Sequence, residues 1–225
     1  PVEVEYIYRA LSWTGAELEP TLSEWRRKTE TKLPPNANPR SRTLALEMRD
    51  SVQTDAAFVS LVMNKFTTVT YVYTLRPGQL LGQHAIDQFL FDSRRGFCEH
   101  YASAFVFMMR AAGIPARVVA GYQGGEVNPV NRTVIVHQFD AHAWAEVWIQ
   151  GRGWVRADPT AAVSPTRIEM GLEEAMESEG SFLSDIPLSP VRYRSVALLN
   201  ELRLRYDALT YSWQSWVVGF DSGQQ

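Results

Sequence analysis

Between Ser41 and Gly113 the apolar residues recur every three or four positions, and between Ala116 and Asp158 they follow a period near two. A helix buries one stripe and a strand buries alternate residues, so this change of period limits the fold more than any other feature. Leu44, Met48 and Val52 fall at steps of four, and Thr54-Asp55 caps a second helix with Phe58, Leu61, Val62 and Phe66 on one face. Val69 to Tyr73 interrupts as a β-branched and aromatic strand, and His84 to Phe91 reads as a short helix. A further helix opens at Cys98, with Tyr101, Phe105, Met108 and Ala112 on one face and Gly113 as its C-cap. Strands are then expected over 116–122, 133–137, 141–149 and 154–158, with turns at Gly124-Gly125, Asn128-Pro129 and Gly151-Arg152-Gly153. Helices first and a meander of about four strands afterwards predict an α+β fold with an antiparallel sheet.

The flanks read as additions to a core over 40–163. Residues 1–39 are expected to form an N-terminal extension packed on that core. Its parts are a strand-like alternation of Val2, Val4, Tyr6 and Tyr8, a short helix from Leu22 anchored by Trp25, and the linker Pro34 to Pro39. Residues 164–225 are expected to form a C-terminal helical extension: an acidic helix over 167–177, a loop over 180–190, and a long amphipathic helix over 191–220. Tyr193, Val196, Leu199, Leu202, Tyr206, Leu209, Trp213 and Trp216 define the face by which that helix would dock. Trp213, Trp216 and Phe220 also suit an interfacial anchor leading toward a membrane segment. A start at Pro1 and a polar end at Asp221 to Gln225 suggest a piece of something longer.

Of the 225 residues 45% are hydrophobic and 21% charged, which indicates a soluble globular domain. A net charge of −3 supplies no basic field, which argues against a nucleic-acid partner. Cys98 is the single cysteine, so no intramolecular disulfide is available and no second thiol would trap it in an oxidising compartment. Its place at the first turn of a helix is chemically distinctive. The partial positive charge and free N–H groups of a helix N-terminus favour a thiolate, which is the nucleophilic form. The expected chemistry is therefore attack of Cys98 on an acyl group, for which the chain must supply a base, an orienting group and oxyanion donors.

Four histidines compete for the role of base. His100 follows Cys98 by two residues, about 200° around a helix, and should not face the thiol. His84 lies in a short helix without an evident charged partner, and His137 ends a strand without an evident orienter. His142 alternates with Trp144, Glu146 and Trp148 along one strand face, and Ala141, Ala143 and Ala145 on the other would allow close approach of the Cys98 helix. Asp158 closes the next strand. Reflection about the turn sets His142 opposite residue 162, so a bulge or loop offset is needed to bring Asp158 to it. A zinc site built from Cys98, His100, His137 and His142 lacks paired cysteines, and no metal or other cofactor is expected.

Four blocks in order carry a family resemblance: Gly96-Phe97-Cys98-Glu99-His100-Tyr101-Ala102-Ser103-Ala104-Phe105, Met109 to Tyr122, Asp140-Ala141-His142-Ala143-Trp144-Ala145-Glu146-Val147-Trp148, and Gly153-Trp154-Val155-Arg156-Ala157-Asp158-Pro159-Thr160. Together they resemble the core of the transglutaminase-like superfamily, and the flanks resemble periplasmic domains of its bacterial membrane-anchored members. The resemblance implies a papain-like arrangement with the cysteine helix on an antiparallel sheet, and a triad of Cys98, His142 and Asp158. It implies acyl transfer from a glutamine side chain through a thioester to an amine. The enzyme alternative is a papain-like peptidase or amidase acting on envelope peptides. Phe97, Trp144 and Trp148 are expected to contact substrate and exclude water. For the oxyanion, only the backbone N–H of Cys98 suggests itself, and no carboxylate cluster has calcium-ligand spacing. Protein or peptide substrates, a periplasmic setting, membrane anchoring of a longer protein and a monomeric fragment complete the expectation.

Overall fold

The computed structural model describes residues 10–13, 15, 19–165 and the helix over 197–217, the last with side chains from 200 to 213. The expected strand over 1–10, the helix over 167–177 and the loop over 180–190 lie outside the described residues, as do the side chains of Tyr193, Val196, Leu199, Trp216 and Phe220. The chain separates into two compact units, one of residues 17–124 with 138–175, the other of 1–16, 125–137 and 176–225.

The larger unit opens with α1 (Glu24–Glu30), capped by the Ser23 side chain. Trp25 is exposed and anchors nothing. Instead Arg110 ties this helix down, donating to Glu30 Oε2 at 2.9 Å and to the Lys32 carbonyl at 3.1 Å. α2 (Pro39–Asp50) buries Ser41 and Ala45, so its inner face is rotated away from the expected Leu44 and Met48. The cause is polar: buried Asp87 accepts the N–H groups of Arg40 and Ser41 at the helix start, where an anion is favoured. α3 (Asp55–Thr68) buries Phe58, Val62 and Phe66 as its periodicity predicts.

The segment between is more irregular than its sequence suggests. The 69–73 run contributes only β1 (Val72–Tyr73), and 82–93 winds through a 3₁₀ turn, α4 (Ala85–Asp87) and a π-helical turn over Gln88–Ser93. β1 pairs in parallel with β2 (Arg95–Gly96), setting Tyr73 beside Gly96, two residues before the cysteine. α5 (Cys98–Ala111) is buried over most of its circumference, with Tyr101, Ala102, Ala104, Phe105, Met108 and Met109 fully enclosed. Gly113 ends it at φ 77°, its N–H bonding to Arg110 O and that of Ile114 to Met109 O, the paired bonds of a Schellman cap.

β3 (Ala116–Tyr122), β6 (Ala141–Ile149) and β7 (Gly153–Ala157) form an antiparallel sheet in the order β3-β6-β7. α5 packs on β3 and β6 and is backed by α2, α3 and α6 (Pro159–Val163). The alanine face of β6 is buried as its small residues require, with Ala143, Ala145 and Val147 each at most 8% exposed. The expected fourth strand does not join this sheet. Val134–Ile135 forms β5, which pairs with β4 (Glu126–Val127) in a separate hairpin of the smaller unit. Gly124 and Gly125, at φ 93° and 129°, take the chain out of β3 through backbone that side chains resist.

In the smaller unit the hairpin holds α7 (Ala197–Val217) by polar contacts. Arg203 Nη2 donates to both Glu126 carboxylate oxygens at 2.6 and 2.7 Å, and buried Asn128 donates to Leu204 O at 2.7 Å. Among the described side chains of α7, Leu204 and Ala208 are buried, whereas Leu202, Tyr206, Leu209 and Trp213 are exposed. The described half of the stripe expected to dock this helix is thus exposed.

Candidate active site

Cys98 is the first residue of α5, and Phe97 before it is extended at φ −117°, ψ −176°. Gly96 is required one step earlier: a Cβ there would lie 2.7 Å from His100 Cβ and 2.9 Å from Phe89 Cε2. The imidazole of His100 turns back along the helix, accepting the Phe97 N–H at Nδ1 and meeting the Phe97 ring edge-on. His100 therefore closes the start of the helix, as its offset from Cys98 suggested. Burial lowers its pKa below the ordinary value, against the raising influence of Glu99 and of the Phe97 backbone. His84 is also structural, accepting the Asn38 N–H at 3.1 Å. His137 belongs to the hairpin unit, its Nε2 3.7 Å from Glu126.

Cys98 and His142 line one cleft of about 420 Å³, with Tyr73, Phe97, Glu99 and Gly121 also on its walls. The His142 side chain has no exposed surface, and its Nε2 lies 2.8 Å from Asp158 Oδ2. The β6–β7 register carries no bulge: Ala145 opposes Ala157, and continuing it would set His142 opposite Thr160. The chain leaves the sheet before that point. Pro159 starts α6, Asp158 becomes its N-cap, and its Oδ1 accepts the Thr160 N–H while Oδ2 turns to the imidazole. A helix cap, where sequence reflection called for a bulge, brings Asp158 to His142.

Two pKa directions follow from this pairing. Burial alone would raise Asp158, but the hydrogen bond and charge of His142, then those of Arg156, outweigh it and hold the carboxyl below its usual value. The carboxylate can then only accept, so Nε2 of His142 carries the donated proton. Burial would lower His142, but hydrogen bonds and charge from Asp158 and Cys98 raise it above its ordinary value. Its Nδ1 is buried without a conventional hydrogen bond and is the nitrogen left to act with the thiol. An imidazole whose pKa is raised beside a thiol favours an imidazolium–thiolate pair.

The aromatic residues divide. Phe97 lines the cleft. Trp144 stacks on His142 with ring centroids 6.1 Å apart and planes at 22°, and the Arg156 guanidinium lies over the Trp144 ring at 4.3 Å. Arg156 also donates to Asp158 Oδ2 at 3.1 Å and to Gln123 Oε1 at 2.6 Å. Gly121 leaves room for Trp144, since a Cβ there would come within 2.8 Å of Cη2. Trp148, expected to contact substrate, is not brought to the cleft. It is buried, donates through Nε1 to the Glu19 carbonyl at 2.9 Å and lies under the Arg27 guanidinium.

Tyr73, Arg156 and Glu99 were not singled out by sequence reasoning. Tyr73 carries the one hydroxyl among the residues lining the cleft, and a parallel pairing of two-residue strands puts it there. Among the described residues no group of three His, Cys, Asp or Glu side chains is placed to hold a metal.

The comparisons agree with this architecture. The profile of the transglutaminase-like superfamily matches residues 42–159. A protein-glutamine gamma-glutamyltransferase of Pseudomonas aeruginosa is 48% identical over 225 residues, all of this chain and 34% of that protein. The uncharacterized protein YebA of Bacillus subtilis is 34% identical over 140 residues, 57% of this chain and 18% of its own length. The crystal structure of the periplasmic domain of TgpA from Pseudomonas aeruginosa superposes with a TM-score of 0.70 at 49% identity, covering 72% of this chain and 56% of that one. The chain thus spans about a third of its Pseudomonas relative and just over half of the solved domain. With its cysteine helix and antiparallel sheet inside the matched region, and its four sequence blocks inside it but for Thr160, the chain belongs to the transglutaminase-like superfamily.

Proposed function

We propose that the chain is the catalytic part of a cysteine acyltransferase of the protein-glutamine gamma-glutamyltransferase type, with Cys98 as nucleophile, His142 as acid and base, and Asp158 as orienter. The observation that carries this reading is the 2.8 Å contact between fully buried His142 and Asp158 in a cleft shared with the first residue of α5. The Cys98 thiolate attacks the carbonyl carbon of a glutamine side chain. The oxyanion forms between the Cys98 backbone N–H and the Tyr73 hydroxyl. The His142 imidazolium gives its proton to the departing nitrogen as the carbon–nitrogen bond breaks, and ammonia leaves a thioester behind. Neutral His142 then takes a proton from the incoming amine as the carbon–sulfur bond breaks and the thiolate returns. Asp158 keeps the imidazole in the tautomer and orientation that both steps use.

Trp144 contributes by stacking on the imidazole and keeping water from its face. The core over 40–163 works with extensions on both sides, in the periplasm, as part of a longer membrane-anchored protein. The likeness of the matched region to a periplasmic domain supports that setting. No helix among the described residues is long and apolar enough to cross a membrane.

The test is a glutamine-containing peptide with a labelled amine, following label incorporation and ammonia release together. Both should occur, and both should vanish in Cys98→Ala. Peptide cleavage without incorporation would instead assign the site to a papain-like peptidase, and activity surviving in Cys98→Ala would end the catalytic proposal.

A further inference from the structure

β3 is an outer strand of the three-stranded sheet, paired with β6 along one side only. The Trp148 N–H donates to Pro115 O and the Gln123 N–H to Asp140 O, so in this register the odd-numbered residues of β3 turn their backbone groups to β6. Those of Ala116, Val118, Ala120 and Tyr122 point the other way. Arg110 guards the first of them, donating through Nε to Ala116 O at 2.7 Å. Val118, Ala120 and Tyr122 are exposed, and among the described residues their outward N–H and C=O groups meet no hydrogen-bonding partner. No proline or bulge interrupts this length, and its one charged side chain, Arg117, is held across the sheet by Glu146. The usual devices that keep a strand edge from pairing are therefore missing here. The unguarded length runs beside the nucleophile: Val118 and Ala120 form part of the wall of the Cys98 cleft.

An unpaired strand edge is a template for another backbone. We infer that the acyl donor binds as an added β-strand on the free edge of β3, an extended peptide segment of about five residues whose glutamine reaches Cys98 from that edge. The inference rests on the acyl-transfer reading and adds to it the conformation that the donor must adopt. The N–H and C=O groups of Val118, Ala120 and Tyr122 supply the pairing, which holds the donor whatever its side chains. Side chains of an added strand alternate between the two faces of the sheet. Val118 opposes Ala145 and Ala120 opposes Ala143, on the face that α5 covers. Donor side chains on that face enter the Cys98 cleft, and the glutamine belongs to that set. The donor is therefore an extended or unfolded segment. A glutamine within a helix has its backbone groups already paired and finds no place on the edge.

Val118 and Ala120 also shape the cleft, so the experiment separates backbone pairing from shape. A short peptide with a central glutamine that serves as donor in the labelled-amine assay is remade as a series, each member carrying one backbone N-methyl group. An N-methyl group removes one donor and blocks strand approach without altering any side chain. With the unaltered protein, and kcat/KM read from ammonia release, methyl groups at alternate positions should lower the value about tenfold, and those between them less than about twofold. Ala120→Pro removes one outward N–H and spares the β3–β6 ladder. It should lower kcat/KM for the peptide about fivefold relative to nitrophenolate release from p-nitrophenyl acetate, an ester without a peptide backbone. Any general change in Cys98 reactivity cancels in that ratio. The methyl series needs no variant and decides the matter where Ala120→Pro fails to fold. A methyl profile without alternation, or an unmoved ratio in folded Ala120→Pro, overturns the inference while the acyl-transfer reading stands. Absence of ammonia release from every glutamine peptide overturns both.

Discussion

The outer face of the β6–β7 pair carries the same kind of residues at both ends and uses them for different purposes. At one end are His142, Trp144, Arg156 and Asp158, and at the other Glu146, Trp148 and Trp154, with Arg117 from β3. Each end has an arginine over an indole and a carboxylate within hydrogen-bond distance of it. Arg156 covers Trp144 and meets Asp158, while Arg117 covers Trp154 at 4.1 Å and donates to Glu146 Oε2 through Nε and Nη2 at 2.9 and 2.7 Å. At the far end both indole N–H groups go to Glu19, Trp148 to its carbonyl and Trp154 to its carboxylate at 2.8 Å. Every polar atom named there is matched by another, and no imidazole or thiol is among them. At the cleft end the carboxylate is shared between a guanidinium and an imidazole, and the imidazole faces a thiol. The two ends differ by an imidazole, the thiol it shares a cleft with, and the cleft itself.

The largest expected effect breaks the cleft end alone. Asp158→Asn leaves a hydrogen-bonding group in place but removes the charge and allows the wrong imidazole tautomer, so kcat should fall by about 10³–10⁴. The same change also removes a carboxylate cap from α6, where an asparagine substitutes well. Tm should therefore move little, and a Tm loss as large as that of a core truncation would reassign Asp158 to the scaffold. Next comes Tyr73→Phe, expected to slow acylation by about 10², the cost of one oxyanion donor. Alkylation of Cys98 by iodoacetamide forms no oxyanion, so its rate should stay near that of the unaltered protein. Parallel losses in both reactions would show that Tyr73 only supports the helix start.

The far end should respond in the opposite way. Trp148→Ala removes a buried indole together with its bond to Glu19, at a cost of about 3–5 kcal/mol, or about 10 °C in Tm for a chain of this size. Activity of the folded fraction at low temperature should persist. A kcat loss with an unchanged Tm would return Trp148 to the substrate contacts expected of it from the strand pattern.

That pair of tryptophans marks the limit of what the sequence discloses. Trp144 and Trp148 share a strand face, and period-two reasoning cannot separate them. The partner that makes Trp148 structural is Glu19, more than a hundred residues away and unmarked by any motif. The meeting of His142 with Asp158, in a cleft shared with Cys98, was legible because the cysteine is single and the sequence blocks keep their order, and because Ala143 and Ala145 announce the close approach of a helix. The helix-then-sheet order was legible from period alone. Hidden were features set by backbone geometry or long-range pairing. They include the parallel β1–β2 contact that delivers Tyr73, the cap that delivers Asp158, and the separate hairpin of β4 and β5. In α7, the Arg203–Glu126 and Asn128 contacts turn Leu204 and Ala208 inward, and Leu202, Tyr206, Leu209 and Trp213 of the expected stripe are left exposed.

The smallest expected effect tests the electrostatics that separate the two ends. In the native state Asp158 has a lowered pKa, so its contribution to stability is present above the ordinary carboxylate value and is lost as pH falls through the lowered one. His142 has a raised pKa, so its contribution is present below the ordinary histidine value and is lost as pH rises through the raised one. Stability from the pair should therefore be greatest between those limits, on the mildly acidic side of neutrality. Arg156→Gln removes one of the two partners that lower Asp158 and leaves His142 as the other. The acid-side fall in Tm should then be smaller and end at a higher pH, with only a few-fold change in kcat at neutral pH, since Arg156 is partly exposed. Arg117→Gln breaks the matching contact at the far end, where the guanidinium meets no group paired with the imidazole. It should lower Tm without changing the size of the acid-side fall or the pH at which it ends. Scanning calorimetry of the two variants from pH 3 to pH 8 decides the matter. Equal displacement of the acid limb in both would mean that the ends differ in exposure alone, and that Arg156 has no particular hold on the carboxylate that orients His142.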